Sequence, residues 1–162
     1  MNFSVADLCD GREDQIQVLP TSFISFGGRK AVHGVIRTIK VDQNPKDIRA
    51  FLSESGNGNI LIVDAGANFE GAVVGDNLAH VAINNNWQGI IVNGYVRDTG
   101  ILKDMEIGIW SLGTCPRRGI QDGSGVRDIE VDFGGVSFKP GHYIYADNDG
   151  IIVSETSIHA HN

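Results

Sequence analysis

The spacing of apolar positions changes along this chain, and each change marks an element. Across "VHGVIRTIKV", which follows a glycine pair at Gly27 and Gly28, β-branched residues crowd together: Val32, Val35, Ile36, Thr38, Ile39 and Val41. That composition predicts a strand. "NPKDIRAFLSESGNGN" switches to helical spacing, with Pro45 suited to a first turn, Ile48, Phe51 and Leu52 on one face, and Gly56 as the predicted end. "NILIVDAG" and "GIIVNGYV" are unbroken apolar runs, the pattern of strands covered on both faces. Between them, "GAVVGDNLAHVAINNNWQG" predicts a strand end or turn, then a helix starting at Gly75 or Asp76. Leu78, Ala79, Ala82 and Ile83 would form its buried stripe. "SVADLCD" predicts a short helix capped by Ser4, "TGILKDM" a helical turn, and "EIGIWSLG" a further strand.

The last third alternates instead. "RDIEVDFGGVSFKPGHYIYADNDGIIVSET" reads as four strands separated by Gly-Gly, Pro-Gly and Asp-Gly turns. A βαβα half joined without a linker to a β-meander predicts one compact α/β domain over residues 1–162. The polar tail "SIHAHN" is expected to fray.

Composition narrows the function classes. A net charge of −7 argues against a nucleic-acid surface, which needs a basic patch to neutralise phosphates. A basic partner protein stays compatible with it. Cys9 and Cys115 are too few for a disulfide framework and have no CxxC spacing, so two free thiols in a reducing compartment are expected. The acidic start "MNFSVADLCDGRED" lacks the apolar core of a signal peptide, and no run approaches the ~18 apolar residues of a membrane span. A cytoplasmic protein without membrane contact is the expectation.

Charged chemistry gathers around "GDNLAHVAINNNWQGIIVNGYVRD". A helix beginning after Val74 would present the backbone N–H groups of Gly75, Asp76, Asn77 and Leu78, a ready anion site. Gly75 would let an anion approach the backbone. Arg97 closes the next strand, where its planar fork could grip a carboxylate or a developing enolate oxygen. Asp98 beside it supplies the hard oxygen that Mg²⁺ or Mn²⁺ prefers. Ordinary punctuation competes with this: Asp76 as a helix cap, Arg97 and Asp98 in a solvated loop. Spacing alone favours that plainer arrangement.

Other motifs are weaker. "ADNDG" at 146–150 lacks the glutamate of a calcium loop, Thr156 standing in its place, so an Asp-Gly hairpin turn is expected. Among the histidines only His159 and His161 have a metal-like spacing, and His80 is expected on a helix surface. "TCPRRG" sets Cys115 near Arg117 and Arg118, but without a nearby general base a loop or subunit contact is expected.

The order of "SFISFGGRKAVHGVIRTIKV", "NILIVDAG", "GDNLAHVAINNNWQGIIVNGYVRD", "IGIWSLGTCPRR" and "VDFGGVSFKPGHYIYADNDGIIV", over residues 3 to 155, resembles one family. It holds the regulators of ribonuclease E activity and the class II 4-hydroxy-4-methyl-2-oxoglutarate aldolases; members were once mislabelled menaquinone methyltransferases. The resemblance implies a β/β/α sandwich-type swivelling domain and a ring-shaped homotrimer, singly or as a dimer of trimers, with clefts between subunits. It also implies an aldolase that depends on a divalent cation, Mg²⁺ or Mn²⁺, acts on a small 2-oxo acid and decarboxylates oxaloacetate. The alternative it implies is a non-catalytic regulator that binds and inhibits an endoribonuclease. The aldolases share a pattern Asp-x20-Arg-Asp-x2-acid. By that likeness Asp98 would hold the metal, Arg97 would stabilise the enolate, Asp76 would position a water or proton donor, and the amides from Gly75 to Leu78 would bind a substrate carboxylate. Ile101 stands where the pattern has its last acid, and the nearest later acid is Asp104.

Overall fold

The computed structural model describes residues 3–20, 22–42, 44–120 and 124–158. At its centre four strands run parallel: β3 (Val32–Lys40), β4 (Ile60–Asp64), β5 (Gly89–Val96) and β6 (Gly108–Thr114). The crossovers carry α2 (Pro45–Leu52), α3 (Asp76–Asn84) and the short α4 (Thr99–Leu102), as parallel neighbours require. Strand β3 serves two sets of partners. Its first half pairs antiparallel with β10 (Tyr143–Ala146), and its second half pairs with β4. The expected four-strand meander splits: residues 131–138 form a separate hairpin, and only the last two strands join this sheet, whose order is β1-β11-β10-β3-β4-β5-β6-β2. Here β1 is Ile16–Leu19, β2 Ile24–Ser25 and β11 Ile151–Ser154; β7 (Val126–Arg127) also pairs with β3.

Side-chain alternation divides the core into layers. On β4, Leu61 and Val63 pack toward the helices, while Ile60 and Ile62 pack the other way. Ile90 and Val92 of β5 join the helical side with Ile48, Phe51, Leu52 and Leu78. Ile91 joins the opposite side, where β8 (Val131–Phe133) and β9 (Val136–Phe138) form a hairpin contributing Val131, Phe133, Val136 and Phe138. Both faces of the parallel strands are therefore covered, which is why their sequences are continuously apolar. The expected β/β/α arrangement is what forms. The first helix, α1 (Val5–Cys9), is capped by Ser4 as expected and lays Val5 and Leu8 against Tyr145 and Ile152.

Some expectations are corrected. Helix α2 stops at Ser53, whose hydroxyl donates to the Arg49 carbonyl, rather than running on to Gly56. Gly56 has a different duty: a Cβ there would lie 2.5 Å from the indole of Trp87. Ile83 is half-buried rather than part of the buried stripe. Strands β1 and β2 lie outside every predicted element. The Asp-Gly hairpin joining β10 to β11 forms as expected, with the Asp147 N–H donating to the Gly150 carbonyl.

Candidate active site

Parallel strands deliver their C-terminal ends to one edge, and there β5 meets the start of α3. The chain before α3 runs beside the end of β5: the Val73 N–H donates to the Tyr95 carbonyl, and the Arg97 N–H to the Val74 carbonyl. This local pairing draws residues 75–78 and 97–98 together although a whole helix and strand separate them. Asp98 then adopts a left-handed conformation, with φ of 63°. Aspartate tolerates that region better than most residues, and the turn carries the chain from β5 into α4.

The turn sets the Asp98 carboxylate at the amino end of α3, where its Oδ2 accepts from the Asp76 N–H at 3.2 Å. A carboxylate is favoured there by the helix dipole and the unpaired amides. Two expectations change as a result. One of the four amides counted as an anion site is already taken by the protein. And Asp76 makes no side-chain cap at all; Gly75 is the N-cap residue. Gly75 is extended, with φ of −142°, a conformation any residue can adopt. Its glycine identity answers to space instead, since a Cβ there would lie 2.5 Å from Asp98 Oδ2 and 3.4 Å from the Arg97 Cγ. The anion admitted close to this backbone is the protein's own carboxylate.

All six candidate residues, Gly75, Asp76, Asn77, Leu78, Arg97 and Asp98, line a single cleft of about 430 Å³. Arg97 and Asp98 are half-buried in it, unlike residues of a solvated loop. Ile101 is not in its wall; it lies 51% exposed on α4, and Asp104 is likewise exposed.

The cleft also holds three cations that sequence reasoning did not assign to it: Lys46, Arg49 and Arg118. Asn44 caps α2 by accepting from the Lys46 N–H at 3.0 Å, and Asp47 of the same turn accepts from the Gly125 N–H. This fixes the turn carrying Lys46 and Arg49. Arg118 is brought in by a parallel bridge to Ala72, with Gly71 and Gly119 in close backbone approach. Its only sequence signal was the run of cations in "TCPRRG". Cys115 is buried elsewhere, its thiol 3.4 Å from the Phe69 carbonyl beneath an apolar hollow of about 470 Å³. His33 stacks on Tyr145 beside another cavity, His80 is exposed on α3, and His159 and His161 lie outside the described residues.

Among the described residues no group of three or more His, Cys, Asp or Glu side chains could cage a metal ion. One or two carboxylates in a cleft, with no nitrogen or sulfur donors, do not suit zinc, which takes three or four protein ligands. They suit Mg²⁺ or Mn²⁺, hard cations that keep water and substrate oxygens in their shell. Asp98, oriented by the Asp76 amide, fits that donor set.

Comparison with known proteins agrees with the fold and the order of motifs. The profile of the RraA-like family, Aldolase/RraA, matches residues 5–153. The chain belongs to this family. It is 45% identical over 158 residues to an Aromatoleum aromaticum protein provisionally named 4-hydroxy-4-methyl-2-oxoglutarate aldolase, covering 98% of this chain and 99% of that one. Its fold superposes with a TM-score of 0.94, at 37% identity and over 99% of both chains, on a Geobacillus kaustophilus structure described as S-adenosylmethionine: 2-dimethylmenaquinone methyltransferase. A structure of the RNA-processing inhibitor RraA from Thermus thermophilus matches with a TM-score of 0.91 and 35% identity, over 96% of this chain and 94% of that one.

Proposed function

We propose that this member of the RraA-like family is a divalent-metal-dependent aldolase that cleaves 4-hydroxy-4-methyl-2-oxoglutarate to pyruvate. The observation that carries the reading is the convergence of Gly75–Leu78 with Arg97 and Asp98 in one cleft, Gly75 cleared of a side chain to admit the Asp98 carboxylate. The full-length likeness to relatives provisionally named for this activity supports it.

Cleavage removes the proton of the C4 hydroxyl and breaks the C3–C4 bond. The bond's electron pair is left on C3 as the enolate of pyruvate, while C4 becomes the carbonyl of a second pyruvate. Asp98 would hold a divalent cation, which when bound supplies Lewis acidity at the substrate's keto oxygen. Arg97 would bring its positive fork to the developing enolate oxygen, so its stabilisation grows as the bond breaks. The free amides at the start of α3 would receive the C1 carboxylate. Asp76 would position the water that moves the proton. Loss of CO₂ from oxaloacetate leaves the same enolate, so decarboxylation belongs to the proposal.

The proposal extends to a ring-shaped homotrimer in the cytoplasm. Phe69, 62% exposed beside the apolar hollow, is a side chain that such an assembly would cover. A second reading, the non-catalytic regulator, draws on the likeness to the Thermus inhibitor and on the acidic chain, which suits contact with a basic protein surface.

Purified protein with Mg²⁺ or Mn²⁺ should release pyruvate from 4-hydroxy-4-methyl-2-oxoglutarate or oxaloacetate in a coupled reductive assay, and chelation should stop it. Asp98→Ala and Arg97→Ala should each lower kcat/KM by at least about 100-fold, the scale of losing one preorganised charge. Light scattering should give the same mass for both variants as for the parent. Metal-independent turnover, or full activity in both variants, sinks the mechanism.

A further inference from the structure

The cations of the cleft outnumber its acids. Lys46, Arg49, Arg97 and Arg118 line it against Asp76 and Asp98, and none of the four is in an ion pair with a described residue. Elsewhere among the described residues Arg29 pairs with Glu106, Arg37 with Asp128 and Arg127 with Glu54. A chain of net charge −7 nonetheless gathers four cations around one cavity that two acids line. Cations in excess of the acids beside them repel one another, and an anionic ligand relieves that repulsion.

Arg97 and the α3 amides already serve one anionic end in the reading above. Lys46 and Arg49 sit on a separate element. They stand three residues apart on the first turns of α2, a spacing that puts them on one helix face. The Asn44 cap and the Asp47–Gly125 contact hold that turn in place. These two cations on one helix face line the same cleft as Arg97 and the α3 amides, on a different element.

We propose that Lys46 and Arg49 bind the second carboxylate that the substrates named above carry, and are the residues that discriminate against 2-oxo acids ending in a methyl group. The proposal rests on the aldolase reading for the orientation of the substrate. It adds the residues that choose among 4-hydroxy-2-oxo acids, which the shared pyruvyl end does not distinguish. The two side chains are specificity residues, remote from the bond that breaks.

Two uncleavable probes of equal length isolate this end: 2-oxoglutarate, with the far carboxylate, and 2-oxopentanoate, with a methyl in its place. Calorimetry on the intact protein with Mg²⁺ should show 2-oxoglutarate binding about 10-fold more tightly, the combined scale of two solvent-screened ion pairs. In Lys46→Met/Arg49→Met, whose substitutions keep the length of the side chains at an exposed helix face, that ratio should collapse toward one. Charge-retaining Lys46→Arg should preserve it. Equal binding of both probes by the parent protein, or an undiminished ratio in the double variant, overturns the proposal, and so does failure of both probes to bind. A preserved binding ratio without pyruvate release from any substrate would instead leave the carboxylate site standing and remove the aldolase reading.

Discussion

Gly75 shows how little a residue's identity says until its neighbours are known. Its backbone is ordinary and extended, so conformational freedom does not explain it; the space taken by the Asp98 carboxylate does. Gly75→Ala places a methyl group 2.5 Å from Asp98 Oδ2, closer than real Cβ contacts come. The carboxylate is the mobile partner and would swing away, losing the Asp76 N–H. Mn²⁺ affinity measured by calorimetry should fall about 10-fold or more, as when a ligand loses its orienting partner. The melting temperature should move by only a few degrees, because the methyl displaces a side chain and no core packing. Unaltered Mn²⁺ binding would mean that Asp98 is not the ligand. In the sequence a charged helix start and strand end mark Asp76, Arg97 and Asp98 as candidates, but spacing alone favours ordinary punctuation, and it is the family resemblance that groups them. The reason for the glycine was not legible, since it lies in a contact across the intervening helix and strand. Lys46 and Arg49 were illegible for the same reason: on α2 they look like a solvated face, and only packing turns them toward the cleft.

At the scale of elements, the segment after β6 is held by charge and stacking more than by strand pairing. β7 is two residues long, yet Arg37 grips Asp128 with two hydrogen bonds of 2.8 Å, and the guanidinium groups of Arg37 and Arg127 lie 4.8 and 4.4 Å from the Phe51 ring centre. The hydrogen bond from Arg37 holds the Asp128 carboxyl below its ordinary range, and the charge of the same arginine adds to the effect. The resulting stabilisation is fully present above the ordinary aspartate range and is lost as pH falls through the depressed folded value. Asp128→Asn should therefore lower the melting temperature near neutrality by about 2 °C, corresponding to roughly 0.5–1 kcal/mol for a solvent-screened pair. The two melting curves should converge in acid, because the parent protein loses the same interaction there. A gap that persists at the lowest pH would assign the effect to packing instead. None of this was visible in "VRDIE", whose partners lie far back in the chain. Long apolar runs such as "NILIVDAG" were legible because burial on both faces leaves a continuous pattern. β1 was not: of "IQVL" only Leu19 is buried, as befits an edge strand, and one inward residue sets no period.

For the whole molecule, charge separates the two functional readings. The chain is acidic overall, while the cleft gathers four unpaired cations. An inhibitor that docks on a basic protein would use the acidic exterior, and a small anionic substrate would use the cleft. The two surfaces are physically distinct, so one substitution can part them. Arg97 is half-buried inside the cleft and presents little to a protein partner. Arg97→Ala should abolish pyruvate release yet leave any affinity for an endoribonuclease as it is in the parent protein, measured by interferometry with the immobilised ribonuclease. Affinity carried by the acidic exterior should weaken between about 0.05 and 0.3 M salt, as screening shortens the reach of exposed charges. If Arg97→Ala instead destroyed ribonuclease binding and the parent released no pyruvate, the cations would be a docking surface for an acidic segment of the partner. The Asp98 carboxylate at the head of α3 would then be an internal brace. Those paired outcomes decide between catalyst and regulator, because each assigns the cleft's positive charge to a different anion.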